Sequence, residues 1–119
     1  MVVKMSEKNL YYSVLYDYYS GLLKENQALA IDLYYNQDFS LSEIAEELGI
    51  SRAGIHDTLK RAEKNLLEFE DKLSLHKKFE KYISLGEKIV KAADKIKDER
   101  FSKEVEIIKK AAIEIINEG

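Results

Sequence analysis

Proline, cysteine and tryptophan are absent from the 119 residues, and glycine occurs only five times. Without cysteine there is no disulfide and no thiolate metal site. Without proline, and with so little glycine and no alternating apolar–polar runs, the chain has few turns to offer and reads as all-α. No stretch approaches the ~18 consecutive apolar residues of a membrane span. The opening MVVKMSEKNL has no apolar core of a signal peptide, so the expectation is a cytoplasmic protein without membrane insertion; Met5 is an alternative start. Glycine-rich phosphate loops, metal-ligand spacings and a nucleophile next to a base are likewise missing, which speaks against an enzyme and gives no catalytic residue, metal or cofactor. The two histidines, His56 and His76, stand twenty residues apart with no partner cluster.

What is present is apolar and charged: 45% and 34% of residues, with a net charge of −3. That is ordinary for a globular chain of one domain, or one domain with an appendage. The charge is unevenly spread. Residues 1–50 carry three lysines against eight acids, residues 51–78 seven bases against five acids, and residues 79–119 nine of each. The one basic excess begins where a DNA-reading helix would begin.

The apolar spacing outlines the helices. A first runs from about Asn9 to Leu23 with two adjoining stripes: Tyr11, Leu15, Tyr18 and Leu22, and Tyr12, Tyr16, Tyr19 and Leu23. So wide a face implies contact on two sides, one of them with a second chain; base stacking is the sharper alternative. A second helix, Glu25 to Tyr35, turns Leu29 and Leu33 inward and ends in the turn Asn36-Gln37-Asp38. A third, Leu41 to Leu48, has Ser40 and Glu43 as a capping box, a Phe39–Ile44 staple and Gly49 at its end. Ser51 caps the fourth. Its inward stripe of Ile55, Leu59, Ala62, Leu66, Phe69 and Leu73 slips near Ser74, where a bend is expected. Two heptad-like runs follow, Leu75-Phe79-Tyr82-Gly86-Ile89-Ala93-Ile96 and Phe101-Val105-Ile108-Ala112-Ile115, separated by a break at Asp98 to Ser102. Two such helices cannot bury themselves well, so they pack on the N-terminal part, on each other or on a second copy.

The third and fourth segments form a helix-turn-helix. Its scaffold is Ile44, Ala45, Leu48, Gly49, Ile50, Ile55 and Leu59: a small residue at the crossing, a glycine in the turn, apolar residues on both sides. Opposite the core stripe stand the candidate nucleic-acid contacts. Ser51 and Arg52 lie at the helix start, where phosphates bind, and Lys60, Arg61 and Lys64 suit phosphates further along. Ala53 could touch a thymine methyl, Asp57 could accept from a cytosine amino group, and His56 flanks them. Gly54 near the helix start either costs up to ~1 kcal/mol for nothing or permits close backbone approach.

The run LSEIAEELGISRAGIHDTLKRAEKNL, Leu41 to Leu66, resembles region 4 of sigma factors, the part that reads a promoter element. YYSVLYDYYSGLL, DLYYNQDFSLSEIA and KLSLHKKFEKY narrow this to a resemblance to the YlxM family of small bacterial helix-turn-helix proteins, over most of the chain to about Tyr82. The family lacks the other sigma regions. Its genes typically neighbour those of the signal recognition particle protein and its receptor, so the resemblance implies a regulatory link to that pathway. Where the family usually has a glutamine and an alanine, this chain has Ala53 and Gly54; where it often has a threonine cap, this chain has Lys24. The first change removes an adenine reader.

The expectation is therefore a helix-turn-helix domain over residues 1–72 and a helical extension over 73–119 that serves dimerisation. The function expected is DNA-binding regulation as a homodimer, with DNA as the partner. The alternative is an interaction module that contacts protein or RNA of the signal recognition particle.

Overall fold

The computed structural model describes residues 8–118; Met5 lies outside them. Among the described residues there are six α-helices and no strand: α1 Tyr11–Tyr19, α2 Glu25–Ile31, α3 Leu41–Leu48, α4 Arg52–Leu73, α5 Leu75–Asp94 and α6 Ser102–Glu118. Short 3₁₀ turns follow α1 at Ser20–Leu22 and precede α6 at Glu99–Phe101. The chain divides into two compact units between Ser74 and Leu75.

In the first unit, α4 is the element the others pack around. Ile55, Leu59, Ala62 and Leu66 are buried along it, together with Leu15 and Tyr19 of α1, Ala30 and Ile31 of α2, and Ile44 of α3. The inward stripe stops sooner than its spacing implies. Phe69 is half-buried and Leu73 is exposed, because α4 outruns the helices available to cover it. It ends where Ser74 takes a left-handed conformation (φ 54°) and its N–H closes on the Glu70 carbonyl.

Segment two also departs from a plain helix. After Ile31 the coil widens into a π-helical turn over Asp32–Asn36, with the Gln37 N–H reaching back to the Asp32 carbonyl. The Asp32 carboxylate accepts from the side chains of Asn36 (2.9 Å) and Gln37 (2.8 Å) and so secures the turn. Within this turn Leu33 and Tyr35 are buried, while Leu29, one turn earlier and expected inside, is 41% exposed. Asp38 then adopts φ 57°. Buried Lys8 braces this corner by donating to the Tyr34 carbonyl (2.6 Å), Asp38 Oδ1 (2.9 Å) and the Phe39 carbonyl (3.2 Å).

The tyrosines close on the first unit itself rather than on a second chain. Tyr19 is buried against Phe69 (ring centroids 5.8 Å apart), and Tyr12 and Tyr34 pack on Tyr35. Of the first helix's two stripes, only Tyr11 and Leu22 at the edges stay exposed. α4 and the π-helical turn thus occupy much of the face on which a second chain was expected.

The second unit is the hairpin of α5 and α6. Gly86 meets Ala112 and Ile116 so closely that a Cβ on Gly86 would lie 2.8 Å from Ile116 Cγ1 and 3.2 Å from the Ala112 carbonyl oxygen. Lys109 Nζ pairs with Asp94 Oδ1 at 2.6 Å, so the helices run antiparallel. The two heptad runs split: Gly86, Ala93 and Ala112 are buried, whereas Tyr82, Ile89, Ile96, Phe101, Ile108 and Ile115 are exposed.

Candidate nucleic-acid interface

The helix-turn-helix is built by its caps. The Ser40 hydroxyl accepts from the Glu43 N–H (3.1 Å), and the Glu43 carboxylate accepts from the Ser40 N–H (2.8 Å). At the other end of α3, Gly49 is left-handed (φ 67°) and the Ile50 N–H bonds to the Ala45 carbonyl at 3.0 Å. Ser51 Oγ then accepts from the Gly54 N–H (3.0 Å) to start α4. Ile44, Ile55 and Leu59 are buried, and Ala45, Leu48 and Ile50 are half-buried between the two helices. Gly54 has a local reason: a Cβ there would lie 2.7 Å from Ile50 Cγ2 and 3.1 Å from Ser51 Oγ, so the turn itself occupies the space.

Three polar ties fix the rotation of α4. The Tyr35 hydroxyl donates to Glu63 (2.6 Å), the Asn65 side chain to Gln27 (3.0 Å), and the Tyr19 hydroxyl to Glu70 (2.6 Å). Glu63 is a buried carboxylate that helical spacing alone does not mark. Burial, and then the hydrogen bond to Glu63, push the Tyr35 phenol far above its ordinary pKa, so it remains a neutral donor.

With α4 held this way, Arg52, Ala53, His56, Asp57, Lys60, Arg61 and Lys64 are all exposed, while the Ser51 oxygen is engaged in the cap. The structure thus puts the candidate contacts on the solvent side of one helix. It also pairs two of the cations along that helix: Arg61 Nε lies 3.1 Å from Asp57 Oδ2, and Lys60 Nζ 3.6 Å from Glu63 Oε1. The Arg61–Asp57 pair is exposed on both sides and such pairs are worth about 0–1 kcal/mol, so a phosphate can displace it, whereas Lys60 leans on a carboxylate that is itself buried. Asp57 nevertheless interrupts the basic strip, because its carboxylate is as exposed as the cations around it. Sequence reasoning passed over Lys24 as a ligand. It lines a shallow groove with Arg61 and Lys64, adding a third cation from the start of α2. Only the fold reveals this, since Lys24 lies far from α4 in the chain.

The family model described as "Putative helix-turn-helix protein, YlxM / p13 like" matches residues 6–110. The chain belongs to this family. Among its members, a UPF0122 protein of Halalkalibacterium halodurans is 46% identical over 91 residues, 76% of this chain and 84% of that protein. A UPF0122 protein of Thermoanaerobacter sp. is 42% identical over 112 residues, 93% of this chain and 96% of the relative. The UPF0122 protein YlxM of Bacillus subtilis is 41% identical over 93 residues, 78% and 84% of the two chains. No described helix is long and apolar enough to cross a membrane.

Proposed function

We propose that this family member is a cytoplasmic DNA-binding regulatory protein that reads DNA with residues 51–66 and acts as a homodimer. The observation that carries this reading is the orientation of α4: its apolar stripe is locked inward and Arg52, Lys60, Arg61 and Lys64 are left exposed beyond a capped turn. Lys24 extends the phosphate-binding footprint beside Arg61 and Lys64. In this reading Ala53, His56 and Asp57, all exposed, meet base edges. Two copies double the phosphate contacts, which a weakly basic module needs. The resemblance to the sigma region and to YlxM supports a regulatory role tied to the signal recognition particle pathway.

The test is retention of sheared genomic DNA by the purified protein across a salt series, followed by sequencing. Five phosphate contacts per copy, from Lys24, Arg52, Lys60, Arg61 and Lys64, give a log–log salt slope of about −4.5 per copy. Replacing Lys60, Arg61 and Lys64 with alanine abolishes binding while helicity stays intact. Binding that survives the triple substitution overturns the assignment of α4 to the groove.

Exposed Asp57 favours a second reading, in which the helix-turn-helix is a scaffold that contacts protein or RNA of the signal recognition particle. Asp57→Asn separates the two. It strengthens DNA binding at least several-fold if phosphates face this strip, and weakens capture of signal recognition particle components if a basic partner does.

A further inference from the structure

The α5–α6 hairpin buries small residues and displays large ones. Facing each other are Gly86 and Ala93 on α5 and Ala112 on α6, all buried. Tyr82, Leu85 and Ile89 on α5, with Ile96 just past its end, form a separate exposed stripe at steps of three, four and seven. Ile108 and Ile115 on α6, with Phe101 in the 3₁₀ turn before it, do the same at steps of seven. At ~100° per residue, each exposed stripe is rotated by roughly 40–60° from the buried small residues of its own helix, in the same sense along the chain. Because the helices are antiparallel, equal rotations put both stripes on one side of the hairpin. The result is one continuous apolar face, and the Asp94–Lys109 pair falls on the opposite side.

We propose that this face is covered by the same face of a second copy, so that two hairpins form an antiparallel four-helix bundle. Three features select a second copy of this chain over another partner. The stripes are the same length, Tyr82 to Ile96 and Phe101 to Ile115, and lie at matching heights, because Gly86 meets Ala112 and Asp94 meets Lys109. A two-fold axis along the helices then lays α5 of each copy over α6 of the other in full register. The face also offers about 600 Å² of apolar surface per copy at roughly 80 Å² per large side chain, and two copies reach the lower end of a standard stable interface.

The third feature is charge. Lys81, Lys88 and Lys95 repeat every seven residues along the outer edge of the α5 stripe, and all three are exposed. Glu104, Glu114 and Glu118, also exposed, lie along the outer edge of the α6 stripe. In the two-fold bundle the lysine edge of one copy meets the glutamate edge of the other, the arrangement by which flanking charges select partner and orientation in helix pairs. A like-charged edge on both helices would oppose this pairing.

This rests on the homodimer reading but not on DNA binding. The experiment is light scattering and sedimentation of the full chain over a wide concentration range. The expected species is a dimer. Ile89→Glu with Ile108→Glu converts it to a monomer of unchanged helix content by circular dichroism, since both positions are already exposed. Reversing the three lysines to glutamate, or the three glutamates to lysine, weakens self-association at least ten-fold, and mixing the two reversed chains restores a one-to-one dimer. A wild-type monomer at all concentrations overturns both the proposal and the homodimer reading. A dimer indifferent to the Ile89/Ile108 pair overturns the hairpin assignment alone. Reversed chains that fail to recover on mixing overturn the α5-over-α6 arrangement.

Discussion

The two units solve the same problem, burying helices, in opposite ways. The first encloses large side chains such as Leu15, Tyr19, Ile31, Ile44 and Leu66 and ties α4 down with buried or half-buried polar groups. The second fully encloses only Gly86, Ala93 and Ala112, half-buries Ile83 and Ile116, and leaves Ile89, Ile96, Ile108 and Ile115 exposed. Three short helices around a long one give a core with several walls, whereas two helices have a single seam. That seam can be close only where side chains are small, so the large ones are displaced to the flank. The difference teaches that similar apolar spacing means completed core in one half of this chain and unmet surface in the other.

The comparison breaks most sharply under truncation. Leu66→Ala leaves a cavity in a site walled on all sides and costs about 3–5 kcal/mol in urea unfolding. Ile108→Ala, made in an exposed position, costs less than about 0.5 kcal/mol at concentrations low enough to keep the chain monomeric. Equal costs at both positions would erase the contrast between the units.

Gly86→Leu comes next, since its side chain must enter space held by Ile116 and the Ala112 carbonyl. Overpacking there costs about 1–3 kcal/mol, and hydrogen exchange across α5 and α6 quickens while α4 stays protected. Exchange that quickens equally in α4 would show that the two units do not unfold separately.

Alkali sharpens the comparison from the other side. The Tyr35 phenol ionises near 10.0 in an unfolded chain and only well above that in the fold, because burial and Glu63 oppose its charge. The folded chain therefore holds a proton that the unfolded chain has lost, and stability, complete below pH 10, falls as pH rises further. Tyrosinate absorbance shows a late phase that includes Tyr35 and waits until the first unit melts, and Tyr35→Phe lowers the amplitude of that phase by one phenol. A chain whose tyrosines all titrate together before unfolding would contradict the buried tie.

Gly54→Ala has the smallest effect. Alanine gains up to ~1 kcal/mol of helix propensity, but its Cβ meets Ile50 and Ser51. The two offset, and the melting temperature moves by only a degree or two in either direction. A rise of several degrees would mean that the turn relaxes at no cost.

Much of the candidate site was legible from local chemistry. Ser40 with Glu43, Gly49 and Ser51 act within one helical turn of themselves, so their spacing alone announces the caps. The steps of three and four from Ile55 to Leu66 likewise assign the buried side of α4 and, by subtraction, its exposed side. Glu63 was not legible, because its partner Tyr35 is remote in sequence and is turned inward by a π-helical residue that no proline or glycine marks. Lys24 joined Arg61 and Lys64 for the same reason: the pairing is made by packing and not by spacing.

Local sequence chemistry makes this protein helical, sets the ends of the capped α3 and the start of α4, and joins α3 and α4 in a helix-turn-helix, since caps and periodicity are short-range effects. The tertiary structure alone decided which apolar residues are covered. Helical spacing says that Leu29, Leu73, Ile89 and Ile108 share a face with core residues, but burial depends on whether another element is there to meet that face. For α4 as far as Leu66 one is; for the outer stripes of the hairpin no helix of the same unit is left to supply it.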